Sequence, residues 1–205
     1  MNGIDPVSTE AIVPRAIAQR TIANLRDTHT PVGVPMNVAS YISGYVDGEG
    51  CFTISFSPRK KMRGGWEVRP SFSVSQNADR SGVLKLMQTY FQCGSIRPDR
   101  SDKTLKYEVR SIDDLVSKVL PHFAQYPLLS EKQQEVERFA RVCEFIHQRK
   151  HLTQEGMREI VTLAMQMNPS GRRQFTEGDI LTRVDLGTGE HPKVIVSASS
   201  NGGRT

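Results

Sequence analysis

Residues 42–50 read Ile-Ser-Gly-Tyr-Val-Asp-Gly-Glu-Gly, and the chain runs straight on into Cys-Phe-Thr-Ile-Ser-Phe-Ser at 51–57. The first part reads as the end of a helix, from about Asn37 to Val46, with small residues suited to close helix–helix approach. The helix then closes on two acids set between glycines. Carboxylates at a helix C-terminus face the negative end of the macrodipole, so propensity alone would not place Asp47 and Glu49 there. Gly48 and Gly50 allow a sharp turn and can offer a carbonyl oxygen beside a carboxylate. Such oxygens, with waters, hold Mg²⁺ and leave sites open for phosphate. A metal held in this way can activate water and stabilise the leaving oxygen of a phosphodiester. Taken alone, Asp-Gly-Glu-Gly is a weak signal and most often an ordinary acidic turn.

The residues downstream strengthen it. In 51–57, Phe52, Ile54 and Phe56 alternate with Cys51, Thr53, Ser55 and Ser57, the period of a strand with one apolar face. A basic turn, Pro-Arg-Lys-Lys-Met-Arg-Gly-Gly, leads into a second strand over 66–76. Its Trp66, Val68, Phe72 and Val74 share one face, and Glu67, Arg69, Ser71, Ser73 and Ser75 the other. A helix is predicted over 81–91, two short strands over 94–100 and 104–110, and helices over 112–124, 130–149 and 153–167. The order is α-β-β-α-β-β-α with further helices, an α+β fold in which helices cover one face of an antiparallel sheet. The other face carries serines, threonine and basic side chains. Such a ribbon fits a DNA major groove, where arginine and hydroxyl groups read base edges. An antiparallel sheet with one wet face is the plainer alternative.

Charge points the same way. The 205 residues carry a net +5, and residues 41–110 alone hold 12 Lys/Arg against seven acids, an excess equal to that of the whole chain. A polyanion would meet this third of the sequence. No apolar run approaches the roughly 18 residues of a membrane span, and no signal-peptide core is visible. Cys51, Cys93 and Cys143 fit neither a disulfide framework nor zinc spacing. An intracellular setting is expected, bacterial cytoplasm or organelle. Residues 1–36 read as an N-terminal extension with a short helix near Pro14–Leu25, 37–175 as the functional domain, and 176–205 as a largely flexible tail.

The nine residues from Ile42 to Gly50 resemble the LAGLIDADG motif, with Ser43, Tyr45 and Glu49 as departures that keep size class or charge. The resemblance extends over about Ser40–Phe175 and implies a homing endonuclease of the single-motif, homodimeric group, similar to those encoded in ribosomal-RNA introns. It implies the αββαββα core with a saddle-shaped sheet. It assigns metal binding to Glu49, with the Gly48 carbonyl, and catalytic roles to Glu49, Gln76, Lys132 and Arg80. Gln76 would position a water on the metal, Arg80 would hold solvent or neutralise phosphate, and Lys132, in Pro-Leu-Leu-Ser-Glu-Lys, would be the active-site lysine. Strand alternation puts Gln76 in phase with core-facing Val74, so its role is expected to need a strand end or bulge at that point. Ser55, Arg59, Lys61, Arg69, Ser71, Ser73, Arg97, Arg100, Lys106 and Arg110 are the expected DNA contacts. Arg172 and Arg173 read as generic charge, with phosphate contact the alternative. Asp47 is expected to cap backbone groups, with metal binding the alternative.

One motif gives one acid cluster, whereas cutting both strands needs two. The resemblance therefore implies a homodimer through Ile42, Ser43, Gly44 and Val46 and a pseudo-palindromic double-stranded DNA target. It implies hydrolysis with Mg²⁺, replaceable by Mn²⁺, with Ca²⁺ supporting binding without cleavage, short 3′ overhangs, and promotion of intron mobility. The rival is a catalytically inactive DNA-binding protein or an intron RNA maturase on the same scaffold. Retention of Glu49, Gln76 and Lys132 favours the nuclease, and RNA is the less favoured ligand. A zinc enzyme using His147 and His151 lacks the glutamate and third ligand that its motif requires.

Overall fold

A computed structural model describes residues 37–62, 64–99, 103–168 and 173–186. The expected N-terminal helix near 14–25 lies outside these residues. Helix α1 spans Val38–Glu49 and starts at Asn37, whose side chain accepts from the Ala39 and Ser40 N–H groups, as an N-cap should. It runs three residues further than the sequence suggests, so Asp47, Gly48 and Glu49 belong to its last turn. Gly50 ends it in extended conformation while its N–H still donates to the Val46 carbonyl. A Cβ at Gly50 would lie 2.6 Å from that carbonyl oxygen and 2.4 Å from Val46 Cγ1, so only glycine permits the direct passage from helix to strand.

Next come strands β1 (Gly50–Pro58) and β2 (Trp66–Asn77), then a 3-10 turn (Ala78–Arg80), α2 (Gly82–Phe91), β3 (Ser95–Pro98) and β4 (Thr104–Val109). The strands form one four-stranded sheet in the order β1-β2-β4-β3. In the β3–β4 hairpin Ile96 pairs with Tyr107 and Arg97 with Lys106. Gly94 enters this hairpin at φ +75°, packed so closely against Tyr107 and Val109 that a side chain would not fit.

The helix expected over 112–124 is interrupted. After α3 (Ile112–Asp114) comes a π turn, Leu115–Val119, and then α4 (Leu120–Gln125). Pro121 lacks an N–H and its ring crowds the carbonyl four residues back. The wider turn keeps the Leu120 N–H bonded to the Leu115 carbonyl, and α4 then buries His122 and Phe123. Helices α5 (Lys132–His147), α6 (Gln154–Met165) and α7 (Glu177–Leu186) complete the described chain, with a 3-10 turn at Lys150–Leu152. Helix α7 lies within the stretch that the sequence suggests is a flexible tail. Its Ile180, Arg183 and Val184 recur at helical spacing and are all buried, which gives it an inward face that packs against α6.

The chain divides into two compact units, interleaved in sequence, with crossovers at 51/52, 72/73 and 129/130. In the first unit α2 packs against β3 and β4, over a core that includes Ile42, Val46, Val74, Leu84, Tyr107 and Phe123. In the second unit Phe52 stacks on Phe72 at 5.0 Å and tilts against Phe139 of α5 at 5.3 Å. There Trp66 meets Phe175 edge-on at 4.7 Å, and the Arg183 guanidinium lies over the Trp66 ring.

Candidate active site and nucleic-acid interface

Helix α1 has two unlike sides. Ile42, Ser43 and Val46 are buried within the chain itself, whereas Ser40, Tyr41, Gly44, Gly48 and Glu49 are exposed. Of the four residues expected to meet a partner, only Gly44 lies on the open side. A Cβ at Gly44 or at Gly48 would meet nothing within 4 Å, so nothing described in the chain requires glycine at either position.

On the buried side, Ser43 Oγ donates to the Tyr126 carbonyl at 2.7 Å and lies 3.1 Å from His122 Nε2. The serine proton being used on the carbonyl, Nε2–H must donate to Ser43, and Nδ1 must accept from the Tyr90 hydroxyl at 3.0 Å. The network thus defines one neutral tautomer of His122. Its ring is enclosed by Tyr90, Phe91, Phe123 and Tyr126. Burial pushes its pKa down to about 4, because the charged imidazolium is disfavoured away from water. Ser43 is therefore an internal hydrogen-bonding residue as well as a small one.

The end of α1 separates its two acids. Asp47 Oδ2 accepts the Leu129 backbone N–H at 3.1 Å, a backbone-capping contact of the kind its place in the sequence suggests. Glu49 is exposed, and among the described residues it has no hydrogen-bonded or ion-paired partner. One turn back on the same helix, the Tyr45 hydroxyl accepts from Gln76 Nε2 at 2.5 Å, and Gln76 Oε1 accepts the Asn77 N–H at 2.7 Å. Both ends of the Gln76 amide are thereby fixed. Gln76 is the last residue but one of β2, which ends at Asn77, so the strand end that its role is expected to need lies beside it, and its side chain reaches Tyr45. Arg80 is exposed at the end of the 3-10 turn. Lys132 belongs to the second unit, where it is the first residue of α5 and half-buried.

The expected DNA contacts divide. Ser55, Arg59, Lys61, Arg69, Arg97 and Arg110 are exposed, and Lys106 is half-buried. Ser71 and Ser73 are 9% and 6% exposed, too covered within the chain to touch a base as they stand. The sequence places them on the polar face, but in the fold both are buried. Arg100 and Arg172 lie outside the described residues. Arg173 donates to the Ala164 and Met167 carbonyls, where a cation suits the end of α6.

Two acids to which sequence pattern alone gives no role organise the basic side chains. Glu67 Oε2 accepts from Arg59 at 2.6 Å and from Arg69 at 2.9 Å. Hydrogen bonds from Arg69 and then Arg59 hold its carboxyl below the usual range. Glu108 accepts from Arg97 at 2.9 Å and from Arg110 at 3.1 Å. The signal is present in the sequence as an acid on each otherwise basic strand face. The two histidines weighed as zinc ligands do not share a helix. His147 is the last residue of α5, and His151 lies beyond Arg149, whose φ is +59°. Among the described residues no group of three or more His, Cys, Asp or Glu is placed to hold a metal ion, and no helix is long and apolar enough to cross a membrane.

Comparison with known proteins matches residues 42–143 to the LAGLIDADG endonuclease family. The chain is 34% identical over 127 residues to a Neurospora crassa protein named "Probable intron-encoded endonuclease 3", a match covering 62% of this chain and 24% of that protein. It thus spans about a quarter of the length of that relative. Among solved structures, the homing endonuclease I-TnaI superposes with a TM-score of 0.64 at 27% identity, covering 75% of this chain and 99% of that one. I-SmaMI, bound to an uncleaved DNA target in the presence of calcium ions, gives 0.65 at 27% identity over 78% of this chain and 53% of that one. The match begins in the nine residues that end α1 and takes in all four strands of the sheet. The chain belongs to the LAGLIDADG endonuclease family.

Proposed function

We propose that the protein is a site-specific DNA endonuclease that makes a double-strand break with short 3′ overhangs by Mg²⁺-dependent phosphodiester hydrolysis, and so promotes mobility of its intron. The observation that carries this reading is the pairing, at one end of α1, of an unpartnered exposed carboxylate with a glutamine amide locked one turn away. Family membership and neighbours solved on DNA support it. Glu49 would otherwise set a charge against the helix dipole with no partner among the described residues.

The oxygen donors present suit a hard divalent cation: the Glu49 carboxylate and the adjoining Gly48 carbonyl. Mg²⁺ there would supply Lewis acidity to the scissile phosphate, with Mn²⁺ able to replace it and Ca²⁺ supporting binding only. Gln76 orients the attacking water, since its amide is fixed by Tyr45 and Asn77 and cannot swing away. Water adds to phosphorus as the bond to the 3′ oxygen breaks. Lys132 and Arg80 provide positive charge for the phosphate and for the departing oxygen.

One α1 helix supplies one such carboxylate, and two strands require two. A second copy of the chain, packed through the open side of α1 at Gly44 and Gly48, would bring a second Glu49 to a two-fold axis and impose a pseudo-palindromic target. This revises the expected contact residues from Ile42, Ser43 and Val46 to the exposed stripe. An RNA maturase or inactive DNA-binding protein remains the second reading.

Purified protein should cut a duplex recovered from a randomised library when Mg²⁺ is present. Glu49→Gln should abolish cutting yet keep binding in Ca²⁺. Binding without cutting by either protein would leave the binding-module reading in its place.

A further inference from the structure

The basic side chains of the two hairpins are held by acids in a repeated arrangement. In the second unit Glu67 lies between Arg59 and Arg69; in the first, Glu108 lies between Arg97 and Arg110. Each arrangement is an arginine–glutamate–arginine clamp, its glutamate out of phase with the core residues Trp66 and Val68 in β2 and Tyr107 and Val109 in β4. In β3–β4 the pattern goes further. Arg97 and Lys106 are directly opposite one another, a repulsive pair. Arg97 turns to Glu108 with both Nε and Nη2, and Lys106 lies 3.8 Å from Asp99.

Stability does not account for the Glu67 clamp, whose arginines are 56% and 43% exposed and whose carboxylate is 30% exposed; ion pairs in such surroundings contribute little to folding. Glu108 is only 9% exposed, so its charge needs a partner in the folded chain, but one arginine would meet that need and two are present. Nor would a surface selected only to attract phosphate place a carboxylate between each pair of cations. Each clamp gives up one unit of positive charge and gains fixed direction for two guanidinium forks. Each arginine has five N–H donors, so donors remain after pairing. A fork held in place can meet guanine O6 and N7 as a bidentate donor. A free arginine would instead follow the nearest phosphate, which carries no sequence information.

We infer that Glu67 and Glu108 are specificity-determining residues: each aims two arginines at base edges and, by its own charge, weakens binding to DNA of the wrong sequence. The inference rests on the DNA-cleaving reading above. It assigns these two acids a role distinct from those of the cations they hold.

The test compares wild type, Glu67→Gln, Glu108→Gln and the double variant, in Ca²⁺, on two duplexes: the target that wild type recovers from a randomised library, and a scrambled duplex of equal length. Glutamine keeps the size and one acceptor but removes the charge. Each single substitution should tighten binding to the scrambled duplex about threefold to tenfold. It should also steepen the salt dependence by about one phosphate contact, a slope change of about 0.9. The ratio of target to scrambled affinity should fall about tenfold per clamp, and further in the double variant. Equal tightening on both duplexes, with the ratio kept, would overturn the inference and leave the acids as simple charge balance. An unchanged affinity on both would overturn it as well. Failure of wild type to prefer any duplex would instead overturn the DNA-cleaving reading, a result distinguishable because it precedes any substitution. Melting temperatures of the four proteins serve as the folding control.

Discussion

The two sides of α1 use the same nine residues for opposite ends. On the buried side Ile42 and Val46 are fully enclosed, and Ser43 completes a hydrogen-bonded chain from Tyr126 through His122 to Tyr90. Every polar group in that chain has a partner, and the histidine is confined to one tautomer. On the open side stand two glycines with no neighbour at the position of a Cβ, an exposed tyrosine, and a carboxylate with no partner among the described residues. The difference teaches where stability ends and function begins. Satisfied, buried groups specify the fold, whereas small or unpaired groups kept at the surface need an explanation outside the chain.

The largest effect comes from exchanging the demands of the two sides. Ile42→Ala should destabilise the chain by about 2–5 kcal/mol, the usual loss for emptying a fully buried aliphatic site, read by denaturant unfolding. Gly44→Leu should do the reverse. A Cβ there meets nothing within 4 Å, and leucine is the better helix former by about 1 kcal/mol. The folded monomer should be kept, while double-strand cutting falls a hundredfold or more and sedimentation shows loss of the dimer. If Gly44→Leu leaves both assembly and cutting intact, the open side is not the partner surface.

A smaller effect should follow from His122. Its pKa is pushed down to about 4 in the folded chain, against about 6.5 in an unfolded one. Between these values the unfolded state binds the proton and the folded state does not. Stability is therefore complete above about pH 6.5 and declines as pH falls toward 4, by at most roughly 3 kcal/mol from this group. His122→Phe should flatten that part of the unfolding profile, although it leaves the Tyr90 hydroxyl without its acceptor. An unaltered slope between pH 6.5 and 4 would show that the ring is not held neutral by its burial.

Much of this is legible in the sequence because periodicity carries it. The alternation at Phe52 and Ile54, and at Trp66, Val68, Phe72 and Val74, marks the inward faces of β1 and β2, and an acid at a helix end points to a capped backbone N–H, though not to that of Leu129, 82 residues away. Other features depend on neighbours distant in sequence. Nothing local distinguishes Ser43 as the partner of His122, 79 residues away. The π turn before Pro121 hides in an ordinary helical pattern, because the proline signals a break without fixing its form. Helix α7 is obscured by the polar composition around it, since three inward residues suffice to seat a short helix. The acids Glu67 and Glu108 are visible, but their role depends on which arginines reach them across a hairpin.

The smallest expected effect isolates Tyr45, whose hydroxyl holds the Gln76 amide without touching Glu49. Tyr45→Phe keeps the ring, removes one acceptor and leaves Gln76 anchored only through the Asn77 N–H. A half-buried hydroxyl contributes about 1 kcal/mol to folding at most, so the unfolding midpoint should scarcely move. On the role proposed for Gln76, an amide free to rotate should instead slow the chemical step by about tenfold, equivalent to about 1.4 kcal/mol in the barrier. Single-turnover cutting on pre-bound DNA separates this from affinity, which should stay within about twofold because no DNA-facing charge has changed. Loss of affinity with an unchanged single-turnover rate would place Tyr45 in binding, on the open side of α1, and would return the positioning of Gln76 to β2 alone.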